Sequence, residues 1–263
     1  MSAADPRTAP ALRSFFFAAL DRIGAHVAVI KPQIAFFEQL GWRGVHVLEE
    51  IIAAARKRGL LVLLDAKRGD IGSTAAAYAA YLDPDGAMPV DAMTVNPYLG
   101  TDTLQPFVDA AERYGRGVLV LAKTSNQGSA DYQDRRIDGR PLHEIVAESL
   151  AETSARLRGA ATGWSCLGIV AGATYPQQSE RLRQILPHAL FLVPGYGAQG
   201  GSAADAVRGF VRGPSGRLEG GIVNSSRGLL FPEASMTGDR RTWERAIDEG
   251  LQRTAEELSR ATS

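Results

Sequence analysis

Acidic and basic side chains alternate in the run Asp-Ala-Lys-Arg-Gly-Asp at residues 65–70, directly after an apolar stretch. Asp65 and Lys67 are two residues apart, so their side chains leave the same face of an extended segment. The glycine that follows permits a turn that can redirect Asp70. Lys31, from a neighbouring strand, can close an array in which each ammonium lies between carboxylates and is kept protonated by them. The run therefore predicts a positioned proton donor, and a structural salt-bridge network or a solvated charge run is the alternative.

Two glycine-rich segments could bind a phosphate group. Pro194 begins the first, Pro-Gly-Tyr-Gly-Ala-Gln-Gly-Gly, and the second is Asn-Ser-Ser-Arg-Gly at residues 224–228. Glycines let backbone N–H groups approach a phosphate, and the guanidinium of Arg227 can fork onto its oxygens. Either loop alone could exist for steric reasons, but both follow late apolar runs. Together they predict a phosphorylated small-molecule ligand.

Seven short apolar runs recur along the chain, each ending in a polar or Gly/Pro cluster and followed by a helical pattern. This rhythm is typical of parallel βα units. The predicted strands are residues 26–30, 60–64, 92–95, 117–121, 166–170, 189–193 and 220–223. Apolar residues at helical spacing predict outer helices over residues 11–23, 36–57, 142–157 and 243–258.

The alternation predicts an α/β fold, a TIM (β/α)8-type barrel. No linker or change in composition divides the chain, so residues 1–263 are expected to form a single domain. In such a barrel, polar residues at the carboxyl ends of the strands converge on one face. An eighth strand would be expected before the helix at 11–23, but residues 1–10 contain two prolines and no β-branched apolar run. The first strand is therefore predicted to be absent from this chain.

Composition excludes several classes of partner. Lys plus Arg and Asp plus Glu number 29 each, so no net charge draws the chain to nucleic acid or to an anionic membrane. The single cysteine, Cys166, excludes an intrachain disulfide and suits a reducing cytosol. The start is not basic and then apolar, and no apolar stretch reaches about 18 residues, so neither export nor a membrane span is expected. We expect a cytoplasmic protein, and the spacing of its four histidines suggests no metal site.

The least periodic segment, residues 126–141, is polar and follows Lys-Thr-Ser at 123–125. It is predicted to be an active-site loop. A plain solvated loop is the alternative, because long polar insertions are tolerated without any function.

Several of these segments together resemble the orotidine 5'-phosphate decarboxylase family, and the bacterial type 2 branch most closely. The longest matches are Lys-Pro-Gln-Ile-Ala-Phe-Phe-Glu, Asp-Ala-Lys-Arg-Gly-Asp-Ile-Gly-Ser-Thr and Pro-Gly-Tyr-Gly-Ala-Gln-Gly-Gly, at residues 31–38, 65–74 and 194–201. Shorter matches lie at residues 96–100, 123–126 and 224–228. The resemblance implies a homodimer of (β/α)8 barrels that converts orotidine 5'-phosphate to uridine 5'-phosphate and carbon dioxide in de novo pyrimidine synthesis, with no metal or organic cofactor.

The resemblance also implies roles for individual residues. Lys67 would protonate C6 as carbon dioxide departs, Asp65 would crowd the substrate carboxylate, and Lys31 would orient the array and touch the ribose. Asp70 would reach into the neighbouring subunit's site, so each site would be completed across the dimer. The implied catalytic residues are thus Lys67, Asp65, Asp70 and Lys31, and the implied substrate-binding residues are Ile71, Thr74, Ser125, Pro194, Gln199, Ser226 and Arg227.

Within that set, Ile71 and Thr74 would accompany Asp70 across the dimer, Ser125 would hold the pyrimidine, and Gln199 with Arg227 would hold the phosphate. Members of the family begin with a strand that carries a Gly-x-Asp-Pro-like segment, and the present sequence starts after it. Three alternatives remain. They are an inactive or binding-only barrel, a related sugar-phosphate decarboxylase that uses magnesium, and a Schiff-base aldolase that uses Lys67 or Lys123.

Overall fold

The computed structural model of the chain describes residues 8–232 and 239–263. Its centre is one curled sheet of seven strands, and every neighbouring pair of strands is parallel. In spatial order, which is also chain order, the strands are β1 (Val29–Ile30), β2 (Leu61–Arg68), β3 (Ala92–Val95), β4 (Gly117–Lys123), β5 (Ser165–Ala171), β6 (Ala189–Val193) and β7 (Gly221–Val223). The prediction of seven parallel strands is confirmed.

Helices connect these strands, as the alternating pattern predicted. They are α1 (Ala9–Ile23), α2 (Ala35–Glu38), α3 (Gly41–Lys57), α4 (Gly72–Ala79), α5 (Gln105–Tyr114), α6 (Leu142–Arg156), α7 (Pro176–Ile185), α8 (Ala203–Ala206), α9 (Arg227–Leu230) and α10 (Arg240–Ala261). The single helix predicted over 36–57 is divided between α2 and α3. Gly41, which opens α3, has a φ of 63°, and a left-handed residue interrupts a continuous right-handed helix.

Residues of β2 alternate between two apolar layers, as the pleat of a strand requires. Val62, Leu64 and Ala66 pack outward into the large core beneath the helices. Leu63 packs inward with Leu119, Val170 and Leu192 in a second cluster that fills the barrel interior. Asp65 follows Leu63 at an interval of two, so the alternation directs its side chain toward the interior.

A buried arginine ties together the ends of strands opposite the predicted site. The Arg183 guanidinium donates to the carbonyl oxygens of Ala189, at the start of β6, at 2.7 Å and of Gly220, just before β7, at 2.9 Å. The same guanidinium lies 3.9 Å from the centre of the Phe191 ring. Burial lowers the pKa of Arg183 to about 10, so the group keeps its charge at neutral pH. These bonds fix the register at which the last two strands enter the sheet.

The two outermost strands of the sheet leave a gap in the barrel. Within residues 8–232 and 239–263, β1 pairs only with β2 and β7 only with β6, and no strand precedes α1. The cavity at this gap, which we call the seam, has a volume of about 870 Å³. Its walls include the inward side chains Val29, Leu63, Leu192 and Ile222, with α1 and α10 on its outer side. The described residues thus form a seven-stranded barrel open at one place, as the sequence predicts, and residues 1–7 lie outside the described range.

None of the helices in the described part of the chain combines the length and the apolar character needed to cross a membrane.

Candidate active site

The charge array predicted from residues 31 and 65–67 is present at the carboxyl end of β2. Asp65 is buried, and each of its oxygens accepts from a different ammonium: Oδ2 from Lys31 Nζ at 2.6 Å and Oδ1 from Lys67 Nζ at 2.5 Å. The Lys31 side chain is mostly enclosed, whereas 44% of the Lys67 side chain is exposed. One ammonium is therefore held inside the barrel and the other is presented at its mouth.

Two opposing effects set the pKa of Asp65. Burial raises the pKa of the carboxyl, but the charges of Lys31 and Lys67 and the hydrogen bonds that they donate outweigh it and hold the pKa below its ordinary value. The carboxylate is therefore ionised at neutral pH and can anchor both lysines.

Asp70 does not join this array within one chain. No ion pair links it to Lys31 or Lys67 among the described residues, and its Oδ1 accepts instead from the backbone N–H of Ile71 at 2.8 Å. Ile71 is 64% exposed, and Thr74 lies on the exposed side of α4. The structure thus places none of these three predicted residues in an ion pair or hydrogen bond with the lysine–aspartate array of the described chain.

Ser125 follows β4 and lies against two glycines at the mouth. A side chain at Gly172 would come within 2.8 Å of the Ser125 Cα, and one at Gly195 within 2.9 Å of its Cβ. Gly195 also has a φ of 97°, which other residues rarely adopt. The close approach therefore needs glycine at both places, and it brings the loop after β4 beside the loop after β6.

The loop after β6 is closed on itself by backbone hydrogen bonds. The N–H of Gly197 donates to Gly201 O at 2.9 Å, and the N–H of Gly200 donates to Gly197 O at 2.8 Å. These two N–H groups are consequently occupied within the turn. Gln199 is exposed at its tip, and Pro194 is half-buried at its base. The amide of Gln199 is thus better placed than the glycine N–H groups to meet a ligand.

The loop after β7 lies next to Lys31. Asn224, Ser225 and Ser226 line the same cavity as Lys31, at the mouth of the seam. Arg227 is exposed and begins α9. The buried Oδ1 of Asn224 lacks a hydrogen-bond partner among the described residues. Asn224 has no role predicted from the sequence.

A second polar residue of the site also escaped prediction. Thr94 interrupts the apolar strand β3 and is 1% exposed, and its hydroxyl contacts both the Asp65 carboxylate and the backbone of Lys67. A hydroxyl inside an otherwise apolar run was the available signal. In the described residues, no group of three or more His, Cys, Asp and Glu side chains is arranged to hold a metal ion.

Known proteins resemble this chain in both sequence and fold. Residues 1–232 match the model of the Orotidine 5'-phosphate decarboxylase / HUMPS family. A Rhodopirellula baltica protein named orotidine 5'-phosphate decarboxylase is 45% identical over 248 residues, which cover 91% of this chain and 80% of that protein. A protein of the same name from Halorubrum lacusprofundi is 44% identical over 245 residues, covering 91% and 82%.

The solved structure of Leishmania donovani OMP decarboxylase matches this fold with a TM-score of 0.77 at 35% identity, and the match covers 99% of this chain and 90% of that one. The match to the family model extends over most of the chain and includes the lysine–aspartate array, the Ser125 loop and both glycine-rich loops. The chain therefore belongs to the orotidine 5'-phosphate decarboxylase family.

Proposed function

We propose that the chain decarboxylates orotidine 5'-phosphate to uridine 5'-phosphate and carbon dioxide, the step that completes uridine 5'-phosphate in de novo pyrimidine synthesis. The observation that carries this proposal is the ion-paired set Lys31, Asp65 and Lys67 at the barrel mouth. Lys31 and the Ser225–Ser226 loop lie in the wall of the same cavity, so a phosphate bound at that loop would lie beside the charge array.

Lys67 is the proposed proton donor. When the bond between C6 and the carboxylate breaks, carbon dioxide leaves and the electron pair stays on a ring carbon with little delocalisation. A fixed ammonium at that point stabilises the transition state more than the ground state. The ammonium then gives its proton to C6 and regains one from solvent, to which Lys67 is open.

The carboxylate of Asp65 has two proposed tasks. It holds the Lys67 ammonium at 2.5 Å. Its negative charge also repels the nearby carboxylate of the substrate, and this repulsion is relieved as carbon dioxide departs. Lys31, at 2.6 Å from the other oxygen, keeps Asp65 oriented and would reach the ribose. Because its pKa is held below the ordinary value, Asp65 keeps its negative charge at neutral pH.

Residues from three other loops would bind the rest of the nucleotide. Ser125 would contact the pyrimidine, and the exposed side chains of Gln199 and Arg227 would grip the phosphate. Pro194 and Ser226 would shape the two phosphate loops on which these groups lie. A phosphate grip remote from the reacting carbon supplies binding energy that can hold the loops closed.

The functional unit is proposed to be a cytoplasmic homodimer. Asp70, Ile71 and Thr74 would enter the neighbouring copy's site, which fits the exposure of Ile71 and Thr74 and the lack of an ion pair between Asp70 and the lysines of its own chain among the described residues. Tyr98, 84% exposed in the loop after β3, provides further apolar surface for a second copy. The single cysteine is consistent with the reducing cytosol.

The test follows the loss of orotidine 5'-phosphate absorbance in metal-free buffer. Purified chain should turn the substrate over, and Lys67→Ala should abolish measurable turnover. Lys57→Ala is the matched control, because Lys57 is an exposed lysine in the last turn of α3 and its loss should leave the rate unchanged.

A folded dimer that binds uridine 5'-phosphate without turnover would reject the proposal in favour of a binding-only barrel. Activity lost to a chelator, or a lysine adduct trapped by borohydride, would instead favour the magnesium or Schiff-base alternatives.

A further inference from the structure

Strand β2 has an irregularity beside the charge array. Leu64 is paired with Met93 and Arg68 with Val95, and the register between β2 and β3 shifts in between. Three residues of β2, Asp65, Ala66 and Lys67, therefore stand opposite the single residue Thr94. A bulge of this kind bends its strand and removes the regular ladder partners of the extra residues.

Lys67 occupies an unusual backbone conformation within this bulge. Its φ is 47°, in the left-handed region that side chains other than glycine rarely adopt. Such a conformation persists only where surrounding contacts hold it. Lys67 is also the group whose ammonium must be fixed, so its backbone needs a specific support.

The Thr94 hydroxyl provides that support. Its Oγ1 accepts from the backbone N–H groups of Ala66 at 3.0 Å and Lys67 at 2.9 Å, and its O–H donates to Asp65 Oδ1 at 3.0 Å. A hydroxyl has one proton and two lone pairs, so all three of its bonding positions are used. Both lone pairs accept from backbone N–H groups of the bulge. The hydroxyl proton therefore points toward the Asp65 carboxylate.

The same carboxylate oxygen holds the ammonium. Asp65 Oδ1 receives the Thr94 O–H and Lys67 Nζ, the latter at 2.5 Å. Thr94 thus acts on Lys67 by two routes, through the backbone that carries the side chain and through the oxygen that holds its end. With 1% of its surface exposed, Thr94 is covered by other protein atoms and has no part in binding a ligand directly.

We infer that Thr94 is a positioning residue for Lys67, one that sets where the ammonium meets the reacting carbon. The inference rests on the proposed decarboxylase function for its kinetic consequence. Replacing Thr94 should lower kcat while leaving the KM for orotidine 5'-phosphate nearly unchanged, because the nucleotide-binding loops do not depend on it. A residue that only stabilised the fold would change neither constant once the variant had folded.

The test compares three variants. Thr94→Val keeps the shape of the side chain and removes the hydroxyl, so kcat should fall about 10- to 100-fold, the cost of a small misplacement of a reacting group. Thr94→Ser restores the hydroxyl and should recover most of kcat. Thr103→Val is the matched control, since Thr103 is 2% exposed and its hydroxyl donates to Gly100 O at 2.6 Å, away from the array. Thr94→Val with kcat within about twofold of the parent, or a loss shared equally by Thr103→Val, would overturn the inference.

A second measurement does not depend on activity. The amide protons of Ala66 and Lys67 should exchange with solvent at least about tenfold faster in Thr94→Val, because both lose their acceptor, and should be unaffected in Thr103→Val. If the parent chain does not decarboxylate orotidine 5'-phosphate, the proposed function fails while this exchange result still decides whether Thr94 holds the bulge. Unchanged exchange in Thr94→Val would contradict the support itself.

Discussion

Asp65 is the residue on which the charge array depends, because its two oxygens serve different partners. Oδ2 binds Lys31, and Oδ1 binds both Lys67 and the Thr94 hydroxyl. Removing either lysine would leave the carboxylate one charged partner and the Thr94 hydroxyl, whereas removing the carboxylate would leave two ammonium groups side by side. Like charges at close range repel, so the array should be more sensitive to the loss of Asp65 than to the loss of Lys31.

The pKa of Asp65 makes this dependence visible as a change of stability with pH. The folded-state pKa lies below the ordinary value of 3.8, so the carboxylate stabilises the fold above pH 3.8 and the effect is lost as the pH falls through the lower folded value. Asp65→Asn should therefore lower the free energy of unfolding at pH 7 by about 2 kcal/mol. The difference should shrink as the pH falls below 3.8. Urea unfolding of the parent protein and of Asp65→Asn at several pH values measures this difference in unfolding free energy. A difference that does not vary with pH would show that the Asp65 charge does not stabilise the fold.

Single residues differ in how far the sequence predicts them. The pairing of Asp65 with Lys67 is predicted from their spacing, and the structure confirms the ion pair, although a bulge rather than a regular strand carries Lys67. Thr94 and Asn224 could not be predicted as site residues. The role of Thr94 depends on the register of β2 against β3, and the place of Asn224 depends on the cavity beside β7. Neither register nor cavity shape is written in the local pattern of residue types.

At the scale of elements, the segment after β4 is braced rather than loose. It contains a short 3-10 helix (Gln127–Asp131) and a two-stranded ribbon, Arg136–Ile137 paired with Arg140–Pro141. The Gln133 side chain both accepts from the Thr124 N–H and donates to the Thr124 hydroxyl, each at 2.9 Å. The polar composition predicted a loop, and these bonds between residues nine apart explain why it has a defined shape.

A buried lysine anchors this segment to the barrel. Lys123, the last residue of β4, is fully buried, and its ammonium donates to Asp134 Oδ1 at 2.8 Å and to Ser129 Oγ at 3.1 Å. The ammonium also lies 4.1 Å from the centre of the Tyr175 ring. Its position at a strand end made it a candidate Schiff-base lysine by sequence, whereas its ion pair with Asp134 favours an anchoring role.

Asp134→Asn tests the anchor. It leaves the buried ammonium without its counter-charge, which should cost about 2–4 kcal/mol of unfolding free energy. Because Ser125 lies in the anchored segment, the KM for orotidine 5'-phosphate should rise several-fold, with a smaller change in kcat. Asp131→Asn, at an exposed aspartate of the same segment, is the control and should change neither quantity. Denaturant unfolding measures the change in stability, and steady-state kinetics measures KM and kcat. If Asp134→Asn is destabilised but its KM is unchanged, the Lys123–Asp134 ion pair does not support substrate binding.

At the scale of the whole molecule, the described residues form a barrel that closes except at the seam. Periodicity predicted the seven strands because each is a compact apolar run, and it predicted the gap because no such run precedes α1. The first strand illustrates the limit of this approach, since residues 26–30 were predicted and only Val29–Ile30 pair with β2. Strand ends depend on the neighbour available for pairing, which a sequence does not state.

The seam should accept one parallel strand. Both β1 and β7 present an edge that pairs with no other strand among the described residues, and Val29, Leu63, Leu192 and Ile222 line the space between them. An extended segment there could pair with both edges and direct alternate side chains into the interior. Such a segment would bury about two apolar side chains, and burying each would stabilise the fold by about 1.5–3 kcal/mol.

A fusion tests this directly. A segment of alternating Val and polar residues joined upstream of α1 should raise the melting temperature by roughly 5–15 °C, given about 3–5 kcal/mol in a protein of this size. A Gly/Ser segment of equal length is the control, since it adds the same chain without apolar side chains or strand propensity. Equal melting temperatures for the two fusions would mean that the seam does not bind a strand. A rise confined to the Val-containing segment, together with protection of the β1 and β7 amides from exchange, would establish that one added strand closes the barrel.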